Sequence, residues 1–336
     1  VHSTCFIIPH FRKGEYDLGF TISYKDNMEK IHFDPDTDGF YGAYWKCSTP
    51  TDCAIIAMIG DDPEDYMAKT MVKWLHELNV NVMSMSPAKK DYGHHNYPLE
   101  RIETAIKKLK SLGNKKISIV GASTTGTLAL TAASYFHDIT LTIALTPSDF
   151  VWQGFMQGKK DGCKEWPIKG ESLFSYKGEP LPYMPFIYQH PQYWQVIASE
   201  SKRTGDMLNS LKLFDDSEKA HPIKEDEFIK VENITGKLLL IGGEDDVLWD
   251  TAKYIRRMEK RLAEKSHSCD VEAIIYPHAT HYVFPESLLK KMFPIGSGLF
   301  LKMAFKAAKQ YPNECKQARI DIERRIVASI KKWKNS

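Results

Sequence analysis

Three short stretches of this chain hold the residue types that nucleophilic catalysis needs. Ser123 stands in Val120-Gly121-Ala122-Ser123-Thr124-Thr125-Gly126, just after the apolar run Lys-Ile-Ser-Ile-Val. A strand that turns into a helix through small residues presents a serine hydroxyl at the helix N-terminus, the setting of a G-x-S-x-G nucleophile elbow. The backbone N–H of Thr124 would then face a developing oxyanion. Thr125 occupies the place of the motif's second glycine and Gly126 comes one residue later, so the stretch also reads as a plain turn with Ser123 as N-cap. The second stretch, Gly242-Gly243-Glu244-Asp245-Asp246, follows another apolar run and offers two aspartates. Either could orient an imidazole, and both also read as helix-capping acids. The third, Tyr276-Pro277-His278-Ala279-Thr280-His281, offers two histidines. His278 follows the strand end directly, whereas His281 lies far enough into the loop to swing back over it. A serine is a weak nucleophile until a base takes its proton, and imidazole does this near neutral pH when a carboxylate fixes its tautomer.

Positioning such groups requires a scaffold, and the chain supplies one. Residues 53–60 form a continuous apolar run, as expected of a strand buried on both faces of a sheet. A helix is predicted to start at Asp62-Pro63, with Asp62 as its cap and Met67, Met71, Trp74, Leu75 and Leu78 on its buried face. The rhythm repeats: strand 80–85, helix 98–112, strand 116–121, helix 124–136 and strand 139–145. It resumes at 237–242, with a helix over 250–264, a strand over 271–276 and helices from about 297 and 314. In the last helix, Ile322, Ile326, Ile330 and Trp333 form an apolar stripe that reads as core. Alternating units of this length imply a largely parallel sheet, whose ligand sites form at the carboxyl ends of the strands. The three stretches sit at three such ends, in the order Ser…Asp…His of a hydrolase triad. Before residue 50, strands are expected at 18–24 and 30–33, followed by an aromatic run over 39–47.

Between residues 147 and 236 the rhythm stops. The stretch is rich in Trp and Tyr among glycines, prolines and charges, and a structureless loop of that length would be abnormal. The expectation is therefore one α/β core made of residues 1–146 and 237–336, interrupted by a largely helical cap insertion over 147–236. His94 and His95 read as loop residues rather than metal ligands. Lys107 to Lys116 reads as a solvated face, with contact to the phosphates of a coenzyme A ester as the alternative. The second oxyanion donor is expected after the strand ending at Gly60, from the backbone N–H of Asp61 or Asp62. Carboxylates there would repel an oxyanion unless they turn away as helix caps.

Composition narrows the classes. The chain has 336 residues, 43% apolar and 26% charged, with a net charge of +2, so it is neither disordered nor an evident nucleic-acid binder. No apolar run is long enough for a membrane span, and no basic-then-apolar leader opens the sequence. Six scattered cysteines without a C-x-x-C pair fit reduced thiols in a cytoplasmic protein, with no metal and no cofactor.

Three further stretches carry a resemblance. Tyr176-Lys177-Gly178-Glu179-Pro180-Leu181-Pro182 is similar to Y-K-G-x-x-L-P, Gly243-Glu244-Asp245-Asp246 with Trp249 to G-E-D-D-x-x-W, and Tyr276-Pro277 with His281-Tyr282 to Y-P-x-x-x-H-Y. With these, residues from Gly39 onward resemble the acyl-CoA thioesterase / bile acid-CoA:amino acid N-acyltransferase family of α/β hydrolases, catalytic domain only. The resemblance implies an α/β-hydrolase fold and favours Asp246 over Asp245 and His281 over His278. It also implies that a serine nucleophile passes the acyl group to water, where cysteine members pass it to an amine. The chain departs from the family in Thr124-Thr125, where Lys-Gly is usual, and in Gly60-Asp61-Asp62, where a glycine-rich turn is usual. The expected function is a serine hydrolase that cleaves a small-molecule acyl thioester or ester through acyl-Ser123, with Asp246, His281 and the N–H groups of Thr124 and Asp61. The alternatives are a carboxylesterase or amidase on a substrate without coenzyme A, and a ligand-binding protein on a hydrolase scaffold.

Overall fold

The computed structural model describes residues 28–59, 62–87, 92–157, 165–294 and 296–336. Its centre is an eight-stranded sheet of β1 (Lys30–Phe33), β2 (Gly42–Trp45), β3 (Cys53–Met58), β4 (Asn81–Met85), β5 (Lys116–Ala122), β6 (Ile139–Leu145), β7 (Lys237–Gly243) and β8 (Asp270–Tyr276). The strands lie in the order β1-β2-β4-β3-β5-β6-β7-β8. β2 runs against both its neighbours, and from β4 to β8 every pair is parallel. With its flanking helices this is the α/β-hydrolase fold. The strand expected at 18–24 lies outside the described residues.

The sheet is buried on both faces, as the apolar strands require. In β3, Ala54, Ile56 and Met58 join one core while Cys53, Ile55 and Ala57 join the other. α2 (Glu100–Ser111), α3 (Thr124–Tyr135) and α4 (Thr251–Glu264) cover the first face. α1 (Tyr66–His76) and α5 (Pro312–Asn335) cover the second, and the stripe Ile322, Ile326, Ile330 and Trp333 is core there. No helix among the described residues is long and apolar enough to cross a membrane. Cys47, Cys53, Cys269 and Cys315 are buried free thiols, and Cys5 and Cys163 lie outside the described residues.

Two local expectations need correction. α1 is capped by Asp65, whose carboxylate accepts the Ala68 N–H at 2.8 Å, and not by Asp62. Asp62 instead accepts the Glu64 N–H at 2.8 Å, which closes a turn before the helix starts. The segment 147–236 is also less helical than expected. Besides helices Gln192–Thr204 and Leu211–Ala220 it holds strands Gln153–Gln157, Glu165–Ser172, Phe174–Tyr176 and Glu179–Pro180. Glu165–Ser172 pairs with Gln153–Gln157 and Glu179–Pro180 with Phe174–Tyr176, and each of these two small sheets is completed from outside the segment, by Tyr92–His94 and by Tyr97–Pro98. His94 is therefore a buried strand residue, not a loop residue. Glycine and proline interrupt these strands and leave no local period to read.

One face of α4 holds this segment in place. Lys253, Arg257 and Arg261 recur at every fourth residue and so point the same way. Arg257 grips buried Asp149 through two bonds of 2.7 and 2.5 Å and reaches Glu218 at 2.9 Å, where Lys253 joins it at 2.9 Å. Arg261 grips Glu232 through bonds of 2.7 and 2.6 Å. Burial raises the Glu232 carboxyl, but hydrogen bonds from Arg261 more than offset it and bring the pKa down to about 2. A pKa lowered by folding adds stability that is present above the unfolded carboxyl value and is lost as pH falls toward 2. Thermal melts of Glu232→Gln should therefore fall less steeply than wild type between about pH 4.5 and 2. Parallel curves would show that this pair does not couple to folding.

Candidate active site

The turn from β5 into α3 is sharp because its residues allow nothing else. A Cβ on Gly121 would lie 1.9 Å from the Thr125 carbonyl oxygen, so only glycine lets the helix start so close to the strand. Thr125, in the place of the motif's glycine, locks the turn with its side chain: its hydroxyl donates to the Ala122 carbonyl at 2.8 Å and accepts the Ala122 N–H at 2.9 Å. Ser123 is forced to φ 60° and ψ −132°. A non-glycine residue held there costs about 1–3 kcal/mol and marks a position fixed by its surroundings. Ser123 precedes α3, but its side chain makes no capping bond, which sets aside the plain N-cap reading. Its N–H donates to the Leu145 carbonyl at the end of β6, at 2.9 Å. Thr124 opens α3, where the first N–H groups have no partner within the helix.

The Asp and His stretches are joined to each other. The Glu244 N–H donates to the Tyr276 carbonyl at 3.0 Å and the Asp245 N–H to the Ala279 carbonyl at 3.2 Å. This close approach needs Gly243, where a Cβ would lie 2.0 Å from the Ala279 oxygen. Each aspartate then meets its own histidine. Asp246 Oδ2 is 2.8 Å from His281 Nδ1, and the two residues are 4% and 6% exposed. Asp245 Oδ2 is 3.1 Å from His278 Nδ1, but that pair is part-exposed, with the imidazole stacked on Tyr311 at 3.8 Å.

The buried pair is the more constrained. Asp246 Oδ1 accepts the Leu248 N–H at 3.0 Å, and Oδ2 also accepts the Thr251 hydroxyl. With the carboxylate as acceptor, Nδ1 of a neutral His281 carries the proton and Nε2 presents its lone pair. Nε2 is buried and has no hydrogen-bond partner among the described residues. No hydrogen bond among the described residues joins it to the Ser123 hydroxyl. The backbones of both stretches bond to the end of β6, Ser123 through the Leu145 carbonyl and His281 through Thr146. Thr146, next after Leu145, donates its hydroxyl to the His281 carbonyl at 3.4 Å and its N–H to the Ile241 carbonyl at 2.7 Å.

Residues missed by sequence reasoning are Thr146 and Thr251, whose small polar side chains carry no pattern. Asp61 lies outside the described residues. Asp62 directs one carboxylate oxygen to the Tyr41 hydroxyl at 2.5 Å and the other to the Glu64 N–H. A downfield imidazole proton on His281 Nδ1 should appear in NMR spectra of the wild type and of Asp245→Asn, and disappear in Asp246→Asn. Its survival in Asp246→Asn would break the assignment of the tautomer.

Among curated proteins none matches the sequence. Solved structures that align with the chain include an esterase of Pyrococcus furiosus, 14% identical over 91% of this chain and 99% of that one, with a TM-score of 0.46. Est1E from Butyrivibrio proteoclasticus is 15% identical over 85% and 98%, with a TM-score of 0.37. An esterase of Pyrobaculum calidifontis is 16% identical over 86% and 82%, with a TM-score of 0.41. The family model that matches covers residues 97–288, from the residues before α2 to those after the His281 loop, and by it the chain belongs to the BAAT / acyl-CoA thioester hydrolase C-terminal family.

Proposed function

We propose that the chain is a serine hydrolase of the esterase and thioesterase type, with Ser123, His281 and Asp246 as its triad. The observation that carries this reading is the buried His281 Nε2, without a partner among the described residues and with Asp246 on Nδ1 of the same ring, on a loop tied to the same strand end that holds a strained Ser123. His281 Nε2 takes the Ser123 proton as the oxygen attacks the acyl carbonyl. The tetrahedral oxyanion is stabilised by the N–H of Thr124 and, after β3, by that of Asp61. Collapse expels the thiolate or alkoxide, which His281 protonates, and leaves acyl-Ser123. Water, deprotonated by His281, then releases the acid and restores the serine. Asp246 stays ionised throughout and stabilises the imidazolium.

Family membership favours a thioester, and the serine favours water as acceptor. Segment 147–236 would cap the site. Its Trp152 and Phe214 lie 5.2 Å from the ring of Trp249, which in turn lies against His281, and such aromatic walls suit an acyl chain. A carboxylesterase acting without coenzyme A is the second reading, supported by Thr124-Thr125 and Gly60-Asp61-Asp62 where the family usually differs.

A fluorophosphonate probe should label wild type and spare Ser123→Ala, and no labelling of folded wild type would sink the mechanism. Asp246→Asn should lower kcat by about 10³–10⁴-fold, with Asp245→Asn close to wild type. A matched pair of substrates, one acyl-CoA and one simple ester of the same acid, separates the two readings through kcat/KM.

A further inference from the structure

The imidazole of His281 is held at Nδ1 by one bond to Asp246. A single bond along one edge leaves the ring free to tilt, and tilt decides where Nε2 points. The residue placed to remove that freedom is Trp249. Its ring centroid is 4.6 Å from that of His281 with the planes at 82°, an edge-to-face contact. The indole is buried and cannot slide, because its Nε1–H donates to the Thr146 carbonyl at 3.1 Å. Thr146 is itself a β-branched residue at φ 45°, a conformation such residues rarely adopt. Its three polar groups serve three partners: Ile241, the His281 backbone and the Trp249 indole. Trp152 and Phe214 of the segment 147–236 also pack on Trp249, each with its ring 5.2 Å away.

We propose that Trp249 is a positioning residue for the His281 base: its ring fixes the tilt of the imidazole and passes to it the packing of the overlying segment. This rests on the triad reading given above. A positioning role acts on the transition state more than on substrate binding, so kcat and kcat/KM should fall together while KM holds.

The test compares variants of the whole 336-residue chain on one ester substrate, with melting temperature measured alongside. Trp249→Leu removes the ring, and kcat should fall about tenfold to a hundredfold with KM little changed. Trp249→Phe keeps an aromatic ring against His281 and should restore kcat to within about threefold of wild type, although it loses the bond to Thr146. Trp333→Leu, in α5 on the opposite face of the sheet, removes a buried indole with its own hydrogen bond to Thr140. It should lower the melting temperature comparably and leave kcat unchanged. Trp249→Met refills the space with a flexible side chain lacking a ring, and replaces the leucine variant if that one does not fold. Unchanged kcat in the ringless variants, or an equal loss in Trp249→Phe, overturns the proposal. If Ser123→Ala turns over like wild type, the triad reading fails and takes the proposal with it. Turnover that needs Ser123 but ignores Trp249 overturns the proposal alone.

Discussion

The carboxyl end of β6 fixes the geometry of everything around it. Two consecutive carbonyls, those of Leu145 and Thr146, take the N–H of Ser123 and the indole N–H of Trp249. The Thr146 side chain takes hold of the His281 backbone. In a parallel sheet, strand ends leave backbone groups unpaired, and these must find partners. Here the partners are the segments that carry Ser123 and His281, the proposed nucleophile and base. Ser123 and Thr146 both hold positive φ, at a cost of about 1–3 kcal/mol each. Strain of that kind persists only where the surroundings over-determine the backbone, and the buried strands on either side of β6 do this.

α4 extends the same constraint outward. Its first turn supplies the Thr251 hydroxyl to Asp246, and its later turns supply the cations that clamp Asp149, Glu218 and Glu232. Asp246 and the segment 147–236 therefore hang from one rigid rod. Partly buried ion pairs of this sort contribute little net stability once desolvation is counted, but they specify one arrangement against others. A segment clamped in this way fits a fixed wall better than a free lid.

The βα rhythm was legible because the strands are short apolar or alternating runs, as in β3 and β4, and helices such as α1, α2 and α4 keep an apolar face with a period of 3.6 residues. The site was legible up to a point. Ser123 stands out through its strand-turn-helix setting, even though Thr125 departs from the motif; the structure explains the departure, since a threonine hydroxyl can lock the turn. The choice between Asp245 and Asp246 could not be made from spacing, and the physical reason is now plain. Both pairings exist, each aspartate with its own histidine, and they differ in burial rather than in register. Only the resemblance to a family favoured one of them. The strands of segment 147–236 were illegible because they are short and broken by glycine and proline, and two of them take a further partner from 92–98, far away in sequence.

Electrostatics place one more demand on the proposed oxyanion site. A carboxylate within about 4 Å of an oxyanion would oppose it by about 4 kcal/mol at an effective dielectric of 20, enough to erase the gain from one donor. Asp62 stands in the turn after β3, where the second donor is expected. Its oxygens are committed instead to the Tyr41 hydroxyl and the Glu64 N–H. Burial and the hydrogen bond to Asp62 raise the Tyr41 hydroxyl far above its ordinary value, so it remains a donor across the working range of pH. Tyr41 thus fixes the direction in which this charge points. Beside the proposed oxyanion site the Asp62 carboxylate is tolerable on that condition, and a tyrosine from the loop before β2 meets it.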